Sequence, residues 1–173
     1  MADVAGFKIV FTNGDNPTEF MECHAPAEVG EKLATRLARI AVIGASHEEI
    51  QYEGTGNHAL DFELTFDALT DMPHGRFGVL GAGGIEDARR FLLGFCYAER
   101  GAQSIVDARP PPLVIVWPRM WSLVTVMPDI EFRHTRFSST GEATLTVAKI
   151  KLEERRTRRL FRSDVLSHGT QRT

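Results

Sequence analysis

The sequence has few cysteines, and they lack the spacing of a metal site. Only Cys23 and Cys96 occur among its 173 residues, and neither belongs to a CxxC pair. A disulfide framework and a structural zinc site are therefore not expected. We expect a reducing compartment, in which both residues are buried thiols.

The sequence also lacks long apolar runs and a strong net charge. Its first ten residues, MADVAGFKIV, contain no basic cluster, which argues against a secretory signal. No stretch reaches the roughly 18 to 20 apolar residues that a membrane span requires. A formal net charge of −3 argues against general binding of nucleic acid. We therefore expect neither a membrane nor a specific nucleic acid as a partner.

No motif of known catalytic chemistry stands out. The six histidines form no HxH or HxxxH pair, and no serine lies in a GxSxG frame. The segment VLGAGGIEDARRF resembles a dinucleotide-binding loop, since Gly81 and Gly83 precede a helical pattern and Asp107 follows about 20 residues later. However, Glu86 replaces the third small residue, and its charge would repel a phosphate. We predict no enzyme activity, no catalytic or metal-binding residue and no cofactor; a nucleotide-binding enzyme using the loop at residues 81–84 is the alternative.

The dominant pattern is the apolar–polar alternation of β-strands. It is clearest in HALDFELTFDAL, where the apolar positions are Leu60, Phe62, Leu64 and Phe66. Later strand-like segments are LVIVW, MWSLVTVM, DIEFRHTRF and EATLTVAKIKLEE. Pro118, Pro128 and the turn SSTG separate them, which predicts a run of antiparallel strands.

Helical spacing is clear in one place. An apolar stripe predicts one principal helix over about residues 85–100; its members are Ile85, Ala88, Leu92, Phe95 and Cys96. The segment at residues 25–44 is ambiguous, because its apolar residues fit a helix while residues 39–43 also fit a strand. The predicted fold is α+β, mainly β: an antiparallel barrel or sandwich with one principal helix.

The C-terminal segment is rich in arginine. Its candidate assembly or partner-binding residues are Arg155, Arg156, Arg158, Arg159, Leu160, Phe161 and Arg162. The arginines suit an acidic partner surface or nucleic acid, and the two apolar residues would serve as an anchor; a solvated extension is the simpler interpretation. We predict one domain over residues 1–154 and a basic extension over residues 155–173. A small adaptor that docks through this extension is a further alternative.

The order of the segments is similar to that of a known family. GFKIVF, HAPAE, IQYEGTGNHALDFELTFDAL, EDARRFL, PPPLVIVW and FSSTGEATLTVAKIKLEE follow one another within residues 5–154. This succession resembles the tube-type baseplate protein family of contractile injection systems and contractile phage tails. Members of that family often carry a LysM module as well; none is recognised in this sequence, so we do not expect peptidoglycan binding.

The resemblance implies a structural, tail-tube-like domain without catalytic residues. Such a domain assembles with itself as a ring, commonly a hexamer, and connects the spike hub and inner tube to the surrounding wedge proteins of the baseplate. It would be located in a phage virion, or in the bacterial cytoplasm as part of an injection particle. The family pattern also favours extended structure near residues 38–51.

The last strand-like segment has two phases. Leu145 and Val147 share one parity, whereas Ile150 and Leu152 share the other. We predict a β-bulge near Ala148 that redirects this strand from its own core towards a neighbouring subunit.

Overall fold

The computed structural model describes residues 8–41, 43–44, 46–68, 84–98, 109–118 and 120–156. Its elements, in chain order, are β1 (Lys8–Asn13), β2 (Phe20–His24), β3 (Val29–Lys32), β4 (Thr35–Ala41), β5 (Glu48–Thr55), β6 (Ala59–Asp67), α1 (Ile85–Gly94), β7 (Leu113–Trp117), β8 (Trp121–Phe137) and β9 (Ala143–Glu154). Seven strands form one sheet in the order β2-β1-β7-β8-β9-β6-β3, and β4 pairs with β5 in a separate two-stranded sheet. Every pairing is antiparallel. The predicted α+β, mainly β fold is confirmed.

The large sheet is curled and open. Three strands separate β1 from β6 in the sheet order. Nevertheless, the rings of Phe11 in β1 and Phe62 in β6 stack with their centroids 6.2 Å apart. This contact requires the sheet to curl until its inner faces meet. Among the described residues β2 and β3 remain unpaired edges, so the sheet does not close into a barrel.

The core lies on the inner face of the curled sheet, where α1 packs against it. Every second residue of β6 is buried, as its alternation predicts. α1 contributes the buried side chains Ile85, Ala88, Phe91 and Leu92, followed by Phe95 just after the helix. The sheet side consists chiefly of Ile9, Phe11, Met21, Leu60, Phe62, Leu64, Phe66, Leu113, Ile115, Ala148, Ile150 and Leu152.

The helix is shorter than predicted. It spans Ile85–Gly94, whereas the apolar stripe predicted about residues 85–100. The N–H of Phe95 donates to the carbonyl of Leu92, only three residues earlier, so the last turn tightens as the helix ends. A glycine at the final helical position disfavours continuation. The predicted extension over residues 95–98 is therefore wrong, and residues 99–100 of the predicted helix lie outside the described part of the chain.

β8 continues through the proline that was predicted to end a strand. It spans Trp121–Phe137 and contains Pro128. Its register against β9 shifts between Val126 and Asp129, which places Pro128 in a bulge. Proline lacks an N–H to donate and is tolerated where the ladder is already interrupted. The prediction of two strands separated by Pro128 is wrong.

β9 has no bulge at the predicted place. Its register with β6 is unbroken over residues 145–153, and its register with β8 does not shift at Ala148. The buried positions keep one parity throughout: Thr146, Ala148, Ile150 and Leu152. Leu145 and Val147 instead lie half-buried on the outer face. The bulge prediction is wrong, and β9, held between β6 and β8, is not an edge that pairs with a neighbouring subunit.

Both cysteines are free, but only one is buried. Cys23 lies in the core on β2, while Cys96 follows α1 and is exposed. The expectation of two buried thiols is therefore correct for Cys23 and wrong for Cys96. The reason is the early end of α1, which stops the helical stripe before it can place Cys96 on the core face.

A thiol reagent is expected to modify one cysteine in the native chain and two after unfolding. Burial strongly raises the pKa of the Cys23 thiol, whereas partial desolvation and the nearby Asp129 carboxylate raise the pKa of the more exposed Cys96 thiol. Because the thiolate is the reactive form, labelling of Cys96 should be slower than that of free cysteine at neutral pH and should accelerate as pH rises. Cys96→Ser is the control. Rapid labelling of this variant in its native state would contradict the burial of Cys23.

Candidate assembly surface

A two-stranded hairpin extends from the main sheet at the N-terminal end of β6. β3 pairs with residues 59–62 of β6, after which the chain continues into β4, and β5 returns into β6. The N–H of Gly56 donates to the carbonyl of Ala34 at 2.7 Å, which links the two paired regions. β4 and β5 therefore prolong the β3–β6 ribbon beyond the sheet, and we call them the hairpin.

One side of the hairpin is apolar. Directly opposed residues of antiparallel strands share a face, and the register pairs Leu37 with Tyr52 and Arg39 with Ile50. Leu37, Ile50 and Tyr52 therefore lie on one side, together with Arg39 and Glu48. We call this side the apolar face because it carries three large apolar side chains, whose exposed fractions are 53%, 64% and 55%. The opposite side carries one large apolar residue, Ile40, beside Arg36, Ala38, Glu49 and Gln51.

The exposure of this face is typical of an interaction surface. Leu33 at the base of the hairpin and Ile43 at its tip are also exposed. An isolated two-stranded hairpin is at best marginally stable in water, and a cluster of exposed apolar side chains marks an interaction site. The hairpin is therefore suited to become ordered and buried against a second surface.

The two strands of the hairpin carry opposite charges. β4 holds Arg36 and Arg39, whereas β5 holds Glu48, Glu49 and Glu53. The guanidinium of Arg39 lies 3.9 Å from the carboxylate of Glu48, with both side chains largely in solvent. Such an exposed pair contributes little to stability. The hairpin therefore has a basic strand, β4, and an acidic strand, β5.

This surface was only partly predictable from the sequence. The extended structure expected near residues 38–51 is confirmed by β4 and β5. The alternative helix in this segment is wrong, although Leu33, Leu37 and Ile40 have helical spacing. Neither face of the hairpin is buried within the chain, so its apolar residues do not show the clean alternation that identified β6. The register with β5 is what places Leu37 beside Ile50 and Tyr52.

The arginine-rich segment is described only at its start. The backbone N–H of Arg155 donates to the carbonyl of Val124 at 2.8 Å, and the Nε of Arg156 donates to Glu154 at 2.7 Å. These two residues are thus held against the end of the sheet. The other candidates lie outside the described residues: Arg158, Arg159, Leu160, Phe161 and Arg162.

The glycine loop is likewise described only at its end. Gly84 precedes α1, while Gly81, Gly83 and Asp107 lie outside the described residues. The carboxylate of Glu86, in the first turn of α1, forms ion pairs with the next two arginines of the helix at 3.3 and 3.1 Å. In the described part of the chain, no group of three or more His, Cys, Asp or Glu side chains is placed to hold a metal ion. No helix in that part has the length and apolar character needed to cross a bilayer.

Comparison with known proteins identifies the family to which this architecture belongs. The family model of the contractile injection system tube protein matches residues 5–161, a range that includes the curled sheet, α1 and the hairpin. No curated protein matches the chain. A tube protein is structural: it assembles with copies of itself and with other components of a phage tail or injection particle. The chain therefore belongs to the contractile injection system tube protein family and is a structural component of such a particle.

Proposed function

We propose that the chain forms a ring, a hexamer, in the baseplate or inner tube of a contractile phage tail or injection particle. The ring would connect the spike hub and tube to the surrounding wedge proteins. The observation that carries this proposal is the hairpin, whose apolar face is exposed in the single chain. The role is mechanical and requires no chemical step.

The hairpin favours head-to-tail contact between copies. It lies at one end of β6 and differs from every other surface of the described chain in being a free two-stranded ribbon. A contact between a hairpin and a different surface of the next copy is heterologous, and such contacts close into a ring when the rotation per subunit divides a full turn. Backbone pairing of the hairpin with a sheet edge would give each contact the same geometry.

We also propose that the basic extension docks a neighbouring component after the ring has formed. The arginines at positions 155, 156, 158, 159 and 162, with Leu160 and Phe161, suit an acidic surface with a small apolar pocket. The domain over residues 1–154 would then form the ring, and residues 155–173 would bind a different protein.

Light scattering across a concentration series, with electron microscopy of the same samples, tests the ring. We expect either a closed ring of six copies or a ring that forms only on an isolated hub or tube. A chain truncated after Arg156 should form the same ring but bind other baseplate components more weakly. A chain that stays monomeric at every concentration and never joins tail particles would rule the proposal out. Loss of the ring on truncation would favour docking through the basic extension instead.

A further inference from the structure

β6 has a free edge along half of its length. On one side it pairs with β9 over all nine residues, from Ala59 to Asp67. On the other side β3 pairs only with residues 59–62. In the described part of the chain, residues 63–66 therefore have no strand on that side. The backbone groups of a free edge are a template for an added strand.

A cleft separates this free edge from the other edge of the curled sheet. It has a volume of about 800 Å³ and is lined by β2 at Cys23 and His24, by the link at residues 25–28, and by residues 61–67 of β6. β2 pairs only with β1 in the described sheet, so its outer edge is also free. The cleft is thus bordered by two strand edges that both lack a partner.

The strand directions favour a hairpin over a single strand in this cleft. Five successive antiparallel pairings lead from β2 around the sheet to β6, so β2 and β6 run in opposite directions. One added strand would be parallel to one of them, whereas two antiparallel strands continue the alternation on both sides. Two added strands need about 14 Å between β2 and β6 at the usual strand spacing. The link from His24 to Val29 can span about 17 Å when extended, so the length of this link is compatible with such a separation.

Charge selects the orientation of the hairpin in the cleft. The cleft is lined by four carboxylates, Glu28, Asp61, Glu63 and Asp67, and by one cation, Lys149, which lies opposite Glu63 on β9. Among the described residues Glu28, Asp61 and Glu63 form no ion pair, so the lining is acidic on balance. β4 is the basic strand of the hairpin and β5 its acidic strand. Entering tip first, with β4 beside β6 and β5 beside β2, the hairpin meets this acidic wall with its basic strand. The same orientation makes every neighbouring pair of strands antiparallel.

A buried polar atom at the cleft also lacks a partner. The Nε2 atom of His24 is buried and has no hydrogen-bond partner among the described residues. His24 ends β2 and lines the cleft. Leaving a polar atom buried and unpaired costs free energy, so native structures nearly always satisfy it. A strand placed beside β2 would bring backbone groups to this edge.

We propose that this cleft receives the hairpin of a second copy of the chain, with β4 along residues 63–66 of β6. The proposal rests on the ring described above and adds the receiving surface. The hairpin leaves the sheet at the N-terminal end of β6, whereas the free edge that borders the cleft lies on the C-terminal half of the same strand. Each copy therefore presents a hairpin and a free strand edge at opposite ends of β6, which is the arrangement that head-to-tail assembly requires.

Reversing one charge at the cleft tests the docking site, and the sheet offers a matched control. Glu63 in β6 and Glu131 in β8 are both exposed and both lie opposite Lys149 of β9, one on each side. Glu63→Lys and Glu131→Lys should therefore cost the monomer similar stability, measured by thermal unfolding. Only Glu63 lines the cleft. We expect Glu63→Lys to weaken self-association by about tenfold or more, because it places a cation against β4, and Glu131→Lys to leave it unchanged.

Mixing two defective variants tests the pairing of hairpin and cleft. The first carries Glu63→Lys and keeps its hairpin; the second carries serine at Leu37, Ile50 and Tyr52 and keeps its cleft. At a concentration where the wild type assembles, each variant alone should be monomeric, and the mixture should form a dimer of one copy of each that grows no further. Light scattering and native mass spectrometry measure this result.

The outcomes separate this proposal from the ring itself. Normal assembly of Glu63→Lys, with failure of the serine variant, would overturn the cleft as receiving site and leave the ring intact. A mixture that stays monomeric would also overturn the pairing. If the wild-type chain associates neither alone nor on a hub or tube, both the ring and the docking of the hairpin in the cleft are ruled out.

Discussion

Replacing Leu37, Ile50 and Tyr52 together with serine should leave the chain folded but unable to associate. All three side chains are more than half exposed, so they contribute little to the stability of the single chain. Each change at such a surface should alter the free energy of unfolding by about 0.5 kcal/mol or less. In an interface, by contrast, truncating a buried anchor of this kind typically weakens the free energy of binding by about 2 kcal/mol. We therefore expect the association constant of the triple variant to fall by more than about a thousandfold.

The opposite side of the same hairpin provides the control. Ile40→Ser also shortens an exposed apolar side chain, but Ile40 lies on the more polar face. We expect this variant to assemble nearly as the wild type does, while the triple serine variant stays monomeric in sedimentation velocity at equal concentration. Circular dichroism and thermal unfolding should show the same fold for both. Assembly of the triple variant at wild-type strength would mean that the hairpin is not a subunit contact.

Phe11→Ala should destabilise the chain by about 3–5 kcal/mol, the usual cost of removing a fully buried phenylalanine ring. Phe11 is fully buried, and its ring stacks on Phe62 from the far side of the curled sheet. The substitution therefore leaves a cavity where the two inner faces of the sheet meet. Chemical denaturation, with the midpoint and slope fitted separately, measures the loss. A loss of this size would remove a large part of the stability of a typical domain.

Phe137→Ala is the matched control for this prediction. Phe137 ends β8 and is 59% exposed, so the same chemical change removes little buried area. We expect its effect on the free energy of unfolding to be within about 0.5 kcal/mol. Equal losses for the two variants would contradict the curled sheet, because they would mean that Phe11 and Phe137 have similar surroundings.

The sequence predicted the elements that bury one face within the chain. β6 alternates strictly because its even-numbered residues from Leu60 to Phe66 fill the core while the odd-numbered ones meet solvent. The turn before β9 was predictable for a local reason: Gly141 adopts a φ of 85°, which glycine tolerates without strain. Where local chemistry and burial agree in this way, the sequence is sufficient to predict the strand or the turn.

The errors arose where an apolar residue is not a buried residue. In β9, Thr146 and Ala148 occupy core positions, while Leu145 and Val147 lie on the outer face. Hydrophobicity alone therefore suggested a change of phase that the backbone does not make. At Pro128 the error was different, since a bulge lets the long strand continue, and that bulge depends on the partner strand.

The assembly surface was harder to predict because its partner lies outside the chain. The hairpin buries little of itself, so its pattern is helical at Leu37 and Ile40 and irregular in β5. The cleft depends on where β3 stops along β6, which is a property of pairing between distant segments. A search for a glycine turn flanked by an apolar residue, such as Gly44 preceded by Ile43, would have directed attention to the hairpin. It would not have identified the surface that receives the hairpin.

Hydrogen exchange at the hairpin tests most directly whether this chain assembles through β4 and β5. The measurement compares backbone amides of residues 35–55 in the free chain and in the assembled ring or particle. In the free chain we expect fast exchange there, because the hairpin has few buried contacts, and slow exchange in β9 and in residues 59–62 of β6, which are paired on both sides. Assembly should slow exchange in residues 35–55 and at the amides of residues 63–66 that face away from β9. Unchanged fast exchange of the hairpin in the assembled particle would contradict its role in joining the subunits.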